Sequence, residues 1–517
     1  MGQDDADVVV VGAGLAGLST ALFLGLHGVP ALVVDRYPST SVQPKARGQM
    51  PTVMEGLRTA GVADAILAAT PPGRAAMTIV ISASMAGPVF HSFSEELPDF
   101  SRFSPATPGM ASQAAAEAAL AARAQELGAR LDFSTACEAL SQDDDGVTVT
   151  VRDLERDTVR EVRTSYVVAA DGHRGGLREL IGIGAHGRGS FEQTTTWRFA
   201  ADLAELAGED AVVLHYLQNP QLPGGAGVIV STDHPGEWVA GMAADPDRDD
   251  ETTTAIIRTL VGVGDLELRL LDESTWESAH RVADRFQAGR VLLVGDAAHG
   301  MPPTGGQGGN TAMLDGYHLG WKLAAVVRGQ AGPGLLATHA TEQRPFAEAV
   351  CAWQVANLVV RQRPDLADES IGEPMDGTTL LFGYVRPDGA FVREPSGDGE
   401  LFEDPTAPSG RPGTRVPHVR LHDGSRAVST RDLLGPHFLV LTGAPDGVTV
   451  AETVAEELGI ALRCFPLDDR TDPDDGSTRQ LGIAATGTVL VRPDGIVAWR
   501  GDNPAGIEEA LRTVLDA

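Results

Sequence analysis

The stretch DVVVVGAGLAG, residues 7–17, decides the fold of this chain. It opens with a β-branched run that is typical of a strand buried on both faces, and residues 18–26 after it suit a packed helix. Gly12 allows a tight turn, Gly14 lets the backbone approach a ligand, and Gly17 lets helix and strand pack closely. The stretch therefore predicts a strand-turn-helix unit whose helix N-terminus binds the pyrophosphate of a dinucleotide.

An acidic residue at the expected distance supports this prediction. A second apolar strand at residues 31–34 ends at Asp35, whose carboxylate is suited to accept hydrogen bonds from both ribose hydroxyls. A purely structural glycine turn is the alternative, and the glycine pattern alone does not separate NAD from FAD. We expect the early part of the site to consist of Gly12, Gly14, Leu15, Ala16, Gly17, Asp35 and Arg36.

Two later segments favour a flavin. Asp171-Gly172 follows a predicted strand, and Gly295-Asp296 is followed by the loop PPTGGQGGN at residues 302–310. In that loop, prolines can form a wall beside a flavin and glycine N–H groups can point at its ring. The helix that starts near Thr311 adds positive dipole where reduced flavin is anionic, although a flexible glycine loop that caps a helix is the alternative. We expect flavin contacts from Asp171, Gly172, Gly295, Asp296, Pro303, Gly306, Gly308, Gly309 and Asn310.

With these segments placed, the chain resembles the class A flavin-dependent aromatic monooxygenases, the group that includes p-hydroxybenzoate hydroxylase and phenol hydroxylase. The likeness covers essentially the whole chain and is strongest toward hydroxylases of polycyclic aromatic polyketides, such as aklavinone 11-hydroxylase. Further segments that carry it lie at residues 43–49, 54–58, 182–189 and 324–332. The resemblance implies FAD as the cofactor.

The resemblance also implies roles for single residues. Gln113 matches a helix-start glutamine that contacts the flavin, and Asp296 matches an aspartate that binds ribityl or ribose hydroxyls. Asp171-Gly172 matches a motif near the pyrophosphate that is implicated in binding both FAD and NADPH. Lys45 stands where an arginine is common, so that either Lys45 or nearby Arg47 is expected to meet the phosphate.

Composition excludes several other classes of protein. The formal net charge of −31 disfavours nucleic-acid binding, which needs a basic surface. The chain has no uninterrupted apolar run of about 18 residues and no basic N-terminal segment, so we expect a cytoplasmic protein without membrane association. Its three cysteines lie far apart without a CxxC pair, which predicts neither a metal site nor a dithiol redox pair.

The order of predicted strands and helices indicates an α/β protein with three parts. A Rossmann-like FAD-binding domain is interrupted by an antiparallel-sheet substrate domain, and the resemblance implies a C-terminal thioredoxin-like domain. That last domain contains only Cys464, which leaves structure, solubility or dimer contact as its roles. We expect the FAD-binding domain at residues 1–181 and 282–375, the substrate domain at 182–281, a linker at 376–413 and the thioredoxin-like domain at 414–517.

The expected reaction is hydroxylation of a polycyclic phenolic ring. NADPH or NADH would reduce FAD, O2 would add at flavin C4a, and the hydroperoxide would transfer one oxygen atom to the ring. The chain contains a single dinucleotide-binding glycine pattern, whereas enzymes with a separate NADPH domain usually show two. We therefore expect the reductant to bind transiently.

The sequence offers fewer candidates for substrate-binding and catalytic residues than for flavin-binding residues. His299 and Pro303 lie in the flavin segments, with His299 a possible acid or base, although a hydrogen-bonded structural histidine is the more common case. Strands of the inserted domain can place side chains over the flavin, although core packing or surface exposure explains each of them as well. These strand residues are Trp197, Arg198, His215, Tyr216 and Gln218.

Three other functions share parts of this sequence pattern. A flavin-dependent halogenase is disfavoured because the six tryptophans form no Trp-x-Trp pair. A Baeyer–Villiger or ring-modifying oxygenase has the same architecture and stays open. A non-catalytic flavoprotein that shields an intermediate for a partner enzyme is the alternative from a different class, and a homodimer is compatible with each of these functions.

Overall fold

The computed structural model describes residues 6–43, 45–70, 74–96, 98–207, 210–361, 363–394, 399–472 and 476–516. Its strands, numbered in chain order, are β1 Ala6–Val11, β2 Leu32–Val34, β3 Arg47–Gln49, β4 Arg74–Ser82, β5 Val89–Glu96, β6 Gly109–Ser112, β7 Arg130–Asp132, β8 Thr135–Gln142, β9 Val147–Asp153, β10 Thr158–Ala169, β11 Ala185–Ala200, β12 Asp210–Gln218, β13 Ala226–Ser231, β14 Glu237–Ala243, β15 Arg269–Ala283, β16 Gln287–Ala288, β17 Val291–Leu293, β18 His299–Gly300, β19 Arg420–Asp423, β20 Arg426–Ser429, β21 Phe438–Thr442, β22 Leu462–Pro466, β23 Thr488–Val491 and β24 Val497–Gly501.

The α-helices are α1 Leu15–Leu26, α2 Pro51–Ala60, α3 Ala63–Ala68, α4 Gln113–Glu126, α5 Leu177–Leu180, α6 Ala204–Ala207, α7 Asp250–Val261, α8 Gly308–Val327, α9 Gly334–Arg361, α10 Gly377–Phe382, α11 Gly447–Leu458, α12 Gly476–Leu481 and α13 Ile507–Asp516. Within the described ranges, none of these helices combines the length and apolar character that a bilayer crossing requires.

The first sheet contains the predicted glycine unit. Its strand β1 lies between β10 and β2 and runs parallel to both, and β17 and β7 extend the parallel arrangement on either side. Helices α1, α4 and α8 pack on one face, whereas β9 and α9 contribute to the core on the other. Because both faces are covered, β1 is apolar throughout its buried length, as the run of valines predicts.

The second sheet has eight strands in the order β18-β15-β11-β14-β13-β12-β4-β5. Helix α7 packs on one of its faces. The strands predicted within the inserted segment are present, but β4 and β5 come from residues 74–96, outside the predicted boundaries. Strand β4 also pairs in parallel with β12, so the sheet is mixed instead of wholly antiparallel. This pairing joins strands more than a hundred residues apart, and local sequence patterns do not reveal it.

The C-terminal lobe contains the sheet β22-β21-β23-β24, in which β21 and β22 are parallel and the other pairs are antiparallel. A βαβ unit followed by a β-hairpin and a helix is the arrangement that a thioredoxin-like lobe requires. Part of the expected linker is packed: Ala390 and Phe391 are buried, and Val392 donates its N–H to the carbonyl of Ala498. The apolar residues at 390–392 explain this packing within a stretch that is otherwise rich in Gly, Pro and acidic residues.

Candidate active site

Three predicted segments meet at one edge of the first sheet. Gly12 follows β1, Asp171 lies just after β10, and Gly295 lies just after β17. These three strands are parallel neighbours, so their carboxyl ends lie side by side. Ligands of open α/β sheets bind beyond the carboxyl ends of the strands, and this edge is therefore the candidate cofactor site.

The turn after β1 has a geometry that requires glycine. Gly12 has a φ of +112°, and a Cβ there would lie 2.1 Å from the carbonyl oxygen of Ala170. A Cβ on Gly17 would lie 1.8 Å from the carbonyl oxygen of Gly12. A Cβ on Gly14 would meet no atom closer than Glu117 Oε1 at 3.8 Å. No side chain caps α1, so its first N–H groups are suited to bind an anionic ligand.

Asp35 holds this turn from the end of β2. Its carboxylate accepts hydrogen bonds from the backbone N–H groups of Ala13 at 2.6 Å and Tyr37 at 2.8 Å. The neighbouring Arg36 is exposed. The carboxylate thus shapes the turn, and its contact with a ribose stays a prediction.

Glu117 is a buried carboxylate at the site that the sequence analysis missed. It accepts hydrogen bonds from Ser41 N at 2.8 Å and from Gln113 Nε2 at 2.7 Å, and burial raises its pKa above the ordinary value. Gln113 also donates its backbone N–H to the carbonyl of Ala46 at 2.7 Å. Helix α4 is thereby joined to the segment that follows Asp35. The spacing of four residues between Gln113 and Glu117 on a predicted helix was the available signal.

The late glycine loop contacts the early segments directly. A Cβ on Gly309 would lie 3.0 Å from Leu15 Cδ1 and 3.6 Å from Ala46 Cβ. Asn310 accepts a hydrogen bond from Met50 N at 2.8 Å, and its side-chain amide donates to the carbonyl of Gly48 at 3.1 Å and to that of Gly306 at 3.0 Å. The predicted association of these segments is thus present in the fold.

Backbone at the centre of that loop is open to a ligand. Gly306 has a φ of +67°, and no heavy atom lies within 4 Å of its Cβ position. The carbonyl of Pro303 accepts hydrogen bonds from the N–H groups of Gly305 and Gly306, at 2.9 and 3.2 Å. The nearest atom to a Cβ on Gly308 would be Met301 Cγ at 3.8 Å. A planar ring can therefore approach this loop closely.

Gly295 is held in place by a buried ion pair. A Cβ on Gly295 would lie 2.6 Å from Ala16 Cβ, so the third segment also contacts the first. The carboxylate of Asp315 accepts hydrogen bonds from Gly295 N at 2.8 Å and faces His299 Nε2 at 2.7 Å. The side chains of His299 and Asp315 are 0% and 1% exposed. This placement favours a structural role for His299, and its role as an acid or base stays a prediction.

Replacing Asp315 by Asn is expected to destabilise the protein in a pH-dependent way. Burial alone would lower the pKa of His299, but the Asp315 carboxylate raises it above its ordinary value of 6.5. The pair therefore stabilises the fold fully below pH 6.5 and loses this contribution as the pH rises through the raised pKa. We expect Asp315→Asn to lower the free energy of unfolding by about 3 kcal/mol at mildly acidic pH, and the deficit to shrink toward alkaline pH.

Denaturation at a series of pH values measures this deficit. The control is Asp284→Asn, which removes the carboxylate of an exposed pair with His186 and should cost less than about 1 kcal/mol. A deficit for Asp315→Asn that increases with pH would contradict the interpretation.

Asp171 carries an unpartnered oxygen. Its Oδ2 accepts a hydrogen bond from Leu177 N at 3.0 Å, whereas Oδ1 is buried without a partner among the described residues. Burial raises the pKa of this carboxyl. A Cβ on Gly175 would lie 1.8 Å from Asp171 Oδ2, so any side chain at this position would displace the carboxylate. Gly172 has a φ of +74° and open space around it.

Lys45 and Arg47, the two candidates for contact with the phosphate, differ in their surroundings. Lys45 is exposed and has a φ of +34°. Arg47 Nη1 lies 2.5 Å from Asp233 Oδ1, and its Nη2 is buried without a partner among the described residues. Arg47 thereby joins the cofactor edge to the loop between β13 and β14 of the second sheet. Asp296 is half-exposed, with Oδ2 4.0 Å from His173 Nδ1.

These features fit FAD. The uncapped start of α1 and Gly14 suit the pyrophosphate, and the open loop around Gly306 suits the isoalloxazine ring. Contacts of Asp171 and Asp296 with ligand hydroxyl groups stay predictions, since Asp171 Oδ1 is buried and Asp296 is half-exposed.

The five candidate substrate residues on strands of the inserted domain do not lie on one face of the sheet, because side chains alternate between the faces of a sheet. Trp197 and His215 lie in one cross-strand row that packs toward α7, and Trp197 Nε1 donates to Glu273 Oε2 at 2.9 Å. Arg198, Tyr216 and Gln218 have the opposite parity and belong to the other face.

That other face is apolar and borders the cofactor edge. Gln43 Nε2 donates to Asp272 Oδ2 at 2.8 Å, and Asp272 is the cross-strand neighbour of Arg198 on this face. Together with the Arg47–Asp233 pair, this contact joins the face to the FAD-binding part. Its apolar side chains are half-buried, and the sequence analysis missed them because their register was unknown. They are Ile79, Ile81, Leu214, Val228, Val230 and Val239.

Comparison with protein families agrees with this geometry. A model described as FAD binding domain matches residues 5–354, and a model described as aromatic-ring hydroxylase, C-terminal, matches residues 409–517. The chain belongs to the FAD-dependent aromatic-ring hydroxylases. The hydroxylase is 39% identical to aklavinone 12-hydroxylase of Streptomyces purpurascens, with 100% of both chains covered. It is 35% identical to tetracenomycin A2 monooxygenase-dioxygenase of Streptomyces glaucescens, covering 100% of this chain and 97% of that relative.

A solved structure shows the same fold. The crystal structure of a ternary complex of aklavinone-11 hydroxylase with FAD and aklavinone matches the hydroxylase with a TM-score of 0.92, 37% identity and 100% coverage of both chains. The predictions of a flavin-dependent monooxygenase and of FAD as its cofactor are confirmed. Monooxygenation consumes O2 and a two-electron donor, in agreement with the reduced nicotinamide expected from the sequence.

Proposed function

We propose that the hydroxylase adds an oxygen atom to a ring carbon of a polycyclic aromatic, polyketide-type phenol. The observation that carries this proposal is the apolar face of the second sheet, which the Gln43–Asp272 and Arg47–Asp233 contacts join to the cofactor edge. A flat apolar surface that borders the cofactor edge suits a fused-ring substrate. The relatives named for aklavinone and tetracenomycin A2 support this substrate class.

In this proposal the protein positions both molecules and FAD supplies the oxygen chemistry, after reduction by NADPH or NADH and reaction with O2. The apolar side chains of the sheet face exclude water and orient the substrate. Arg198 lies at the border of this face, where its guanidinium pairs with Glu237 Oε2 at 2.8 Å. The N-terminus of α8 at Gly308, which no side chain caps, stabilises negative charge on the reduced cofactor through the helix dipole.

The test is product analysis with FAD-loaded protein. The protein is incubated with NADPH and a panel of tetracyclic and angular phenolic polyketides, and the product is examined by nuclear magnetic resonance. A new hydroxyl group on an aromatic ring carbon is the expected result. Insertion of oxygen between ring carbons would instead support the Baeyer–Villiger alternative, and binding without NADPH oxidation would support the shielding flavoprotein.

A bulky residue on the apolar face is expected to weaken substrate binding. Val228 lies in the middle of this face on β13 and is half-buried, so Val228→Phe would fill space available to the substrate. We expect KM to rise more than about tenfold with little change in FAD affinity, because the Phe side chain has four more carbon atoms than that of Val and a mismatch of one methylene in an apolar pocket already costs about 1–3 kcal/mol. Steady-state kinetics measures this change. Val159→Phe on the exposed part of β10 is the matched control, and equal KM values in the two variants would contradict the assignment.

A further inference from the structure

Helix α9 closes one side of the glycine loop at residues 302–310. A Cβ on Gly305 would lie 2.2 Å from Trp353 Cζ3 and 2.5 Å from Gln354 Oε1. Thr304 Oγ1 also donates a hydrogen bond to the carbonyl of Gln354 at 2.6 Å. The next residue, Gly306, has no heavy atom within 4 Å of its Cβ position. The loop is thus in contact with α9 at two consecutive residues and open at the third.

The indole ring of Trp353 is fixed by a hydrogen bond of its own. Its Nε1 donates to the carbonyl of Met375 at 2.9 Å, and the side chain is half-buried. The backbone carbonyl of Trp353 accepts a hydrogen bond from Asn357 Nδ2 at 2.9 Å, one helical turn further along α9. A side chain that packing and hydrogen bonds lock in one rotamer can hold a neighbouring backbone segment in place.

Helix α9 is itself anchored in the interior, nearer to its N-terminus. Glu342 lies 2.8 Å from Lys322 Nζ and 2.7 Å from Arg492 Nη1, and these three side chains are at most 1% exposed. His339 Nε2 lies 3.0 Å from the carbonyl oxygen of Leu293, the last residue of β17. Because these contacts are buried, α9 is a firm support for the loop.

The backbone of Gly305 is hydrogen-bonded to the start of α8. Its carbonyl accepts a hydrogen bond from Gln307 Nε2 at 3.2 Å, and Gln307 directly precedes α8, which begins at Gly308. The carbonyl of Gly306 accepts a hydrogen bond from Asn310 Nδ2, in the first turn of this helix, at 3.0 Å. A displacement of Gly305 is therefore expected to disturb the uncapped N-terminus of α8, whose dipole favours negative charge.

We propose that Trp353 is a positioning residue for the flavin. By its contact with Gly305 it holds the loop, and through the loop the N-terminus of α8, in the arrangement that stabilises the reduced cofactor. Trp353 acts through the loop backbone and not by contact with FAD. The inference rests on the proposed role of this loop at the isoalloxazine ring and is independent of the substrate.

The midpoint reduction potential of bound FAD, measured against a reference dye without substrate, tests this proposal. Trp353→Ala opens space beside Gly305 and lets the loop move, so reduced FAD should be bound roughly tenfold less favourably relative to oxidised FAD. For this two-electron couple, a tenfold change corresponds to a shift of about 30 mV toward negative potential. Trp353→Phe keeps a flat ring at this position and should restore most of the potential. An unchanged potential in Trp353→Ala would overturn the proposal.

Hydrogen exchange of the apoprotein separates the contact with the loop from the effect on the flavin. The amides of Gly305 and Gly306 should exchange roughly tenfold faster in Trp353→Ala, because the contact that holds the loop is lost. The matched control is Trp499→Ala, which removes a half-buried indole that packs on Gly501 in the C-terminal lobe and should change neither quantity.

Two further results would contradict the role of Trp353. One is a potential that shifts equally in the two alanine variants, and the other is faster exchange of the loop without a shift of the potential. Neither measurement depends on the hydroxylated product, so failure of this inference is distinguishable from failure of the proposed function.

Discussion

Gly12→Ala is expected to abolish retention of FAD. The new Cβ would lie 2.1 Å from the carbonyl oxygen of Ala170, and the residue would have to keep a φ of +112°. Both penalties act on backbone at the pyrophosphate site, where no flexible side chain can yield. We expect FAD affinity to fall by more than about 100-fold, or roughly 2.7 kcal/mol. Fluorescence titration of apoprotein with FAD measures the change.

The matched control for this substitution is Gly377→Ala. Gly377 lies at the start of α10, and no heavy atom lies within 4 Å of its Cβ position. Its replacement should leave FAD affinity unchanged. Equal loss of FAD in both variants would show that the effect does not arise at the glycine turn.

Among the substitutions proposed for this protein, Glu342→Gln is expected to cause the largest loss in the free energy of unfolding. Burial alone would raise the pKa of this carboxyl, but Arg492 and Lys322 hold it well below its ordinary value of 4.5. Neutralising it leaves Lys322, Arg386 and Arg492 without their shared carboxylate in the interior. We expect the free energy of unfolding to fall by about 3–5 kcal/mol above pH 4.5, as for other buried pairs that lose one partner.

Denaturation of the FAD-loaded protein measures this loss. Glu348→Gln changes the same residue type on α9, but Glu348 is 41% exposed and pairs with Arg344 at the surface. That control should cost less than about 1 kcal/mol. A similar small cost for Glu342→Gln would mean that the cations find other partners.

The cofactor edge could be predicted because its determinants are local. A run of valines ending in Gly12 specifies a buried strand and a turn, and Asp171 and Gly295 each follow another apolar strand. Parallel strands bring such positions to one edge once they are neighbours. The position of Asn310 after the glycine loop was likewise evident, although its contacts with Gly48 and Met50 were not.

The substrate face could not be predicted in the same way. Whether Val228 or Trp197 faces the cofactor depends on strand register. A shift of the register by one residue would exchange the two faces of the strand. The pairing of β4 with β12 and the Arg47–Asp233 contact join residues more than a hundred positions apart, and neither has a local signal. Glu117 was missed because a buried carboxylate on an alanine-rich helix resembles a solvent-exposed one.

The most direct test of the account is isotopic. FAD-loaded protein is supplied with NADPH, a polycyclic phenol that it turns over, and O2 labelled with ¹⁸O, and the product is analysed by mass spectrometry. The account predicts one labelled oxygen atom on an aromatic ring carbon and no product when FAD is removed. Oxygen derived from water, or product formation that does not depend on FAD, would contradict it.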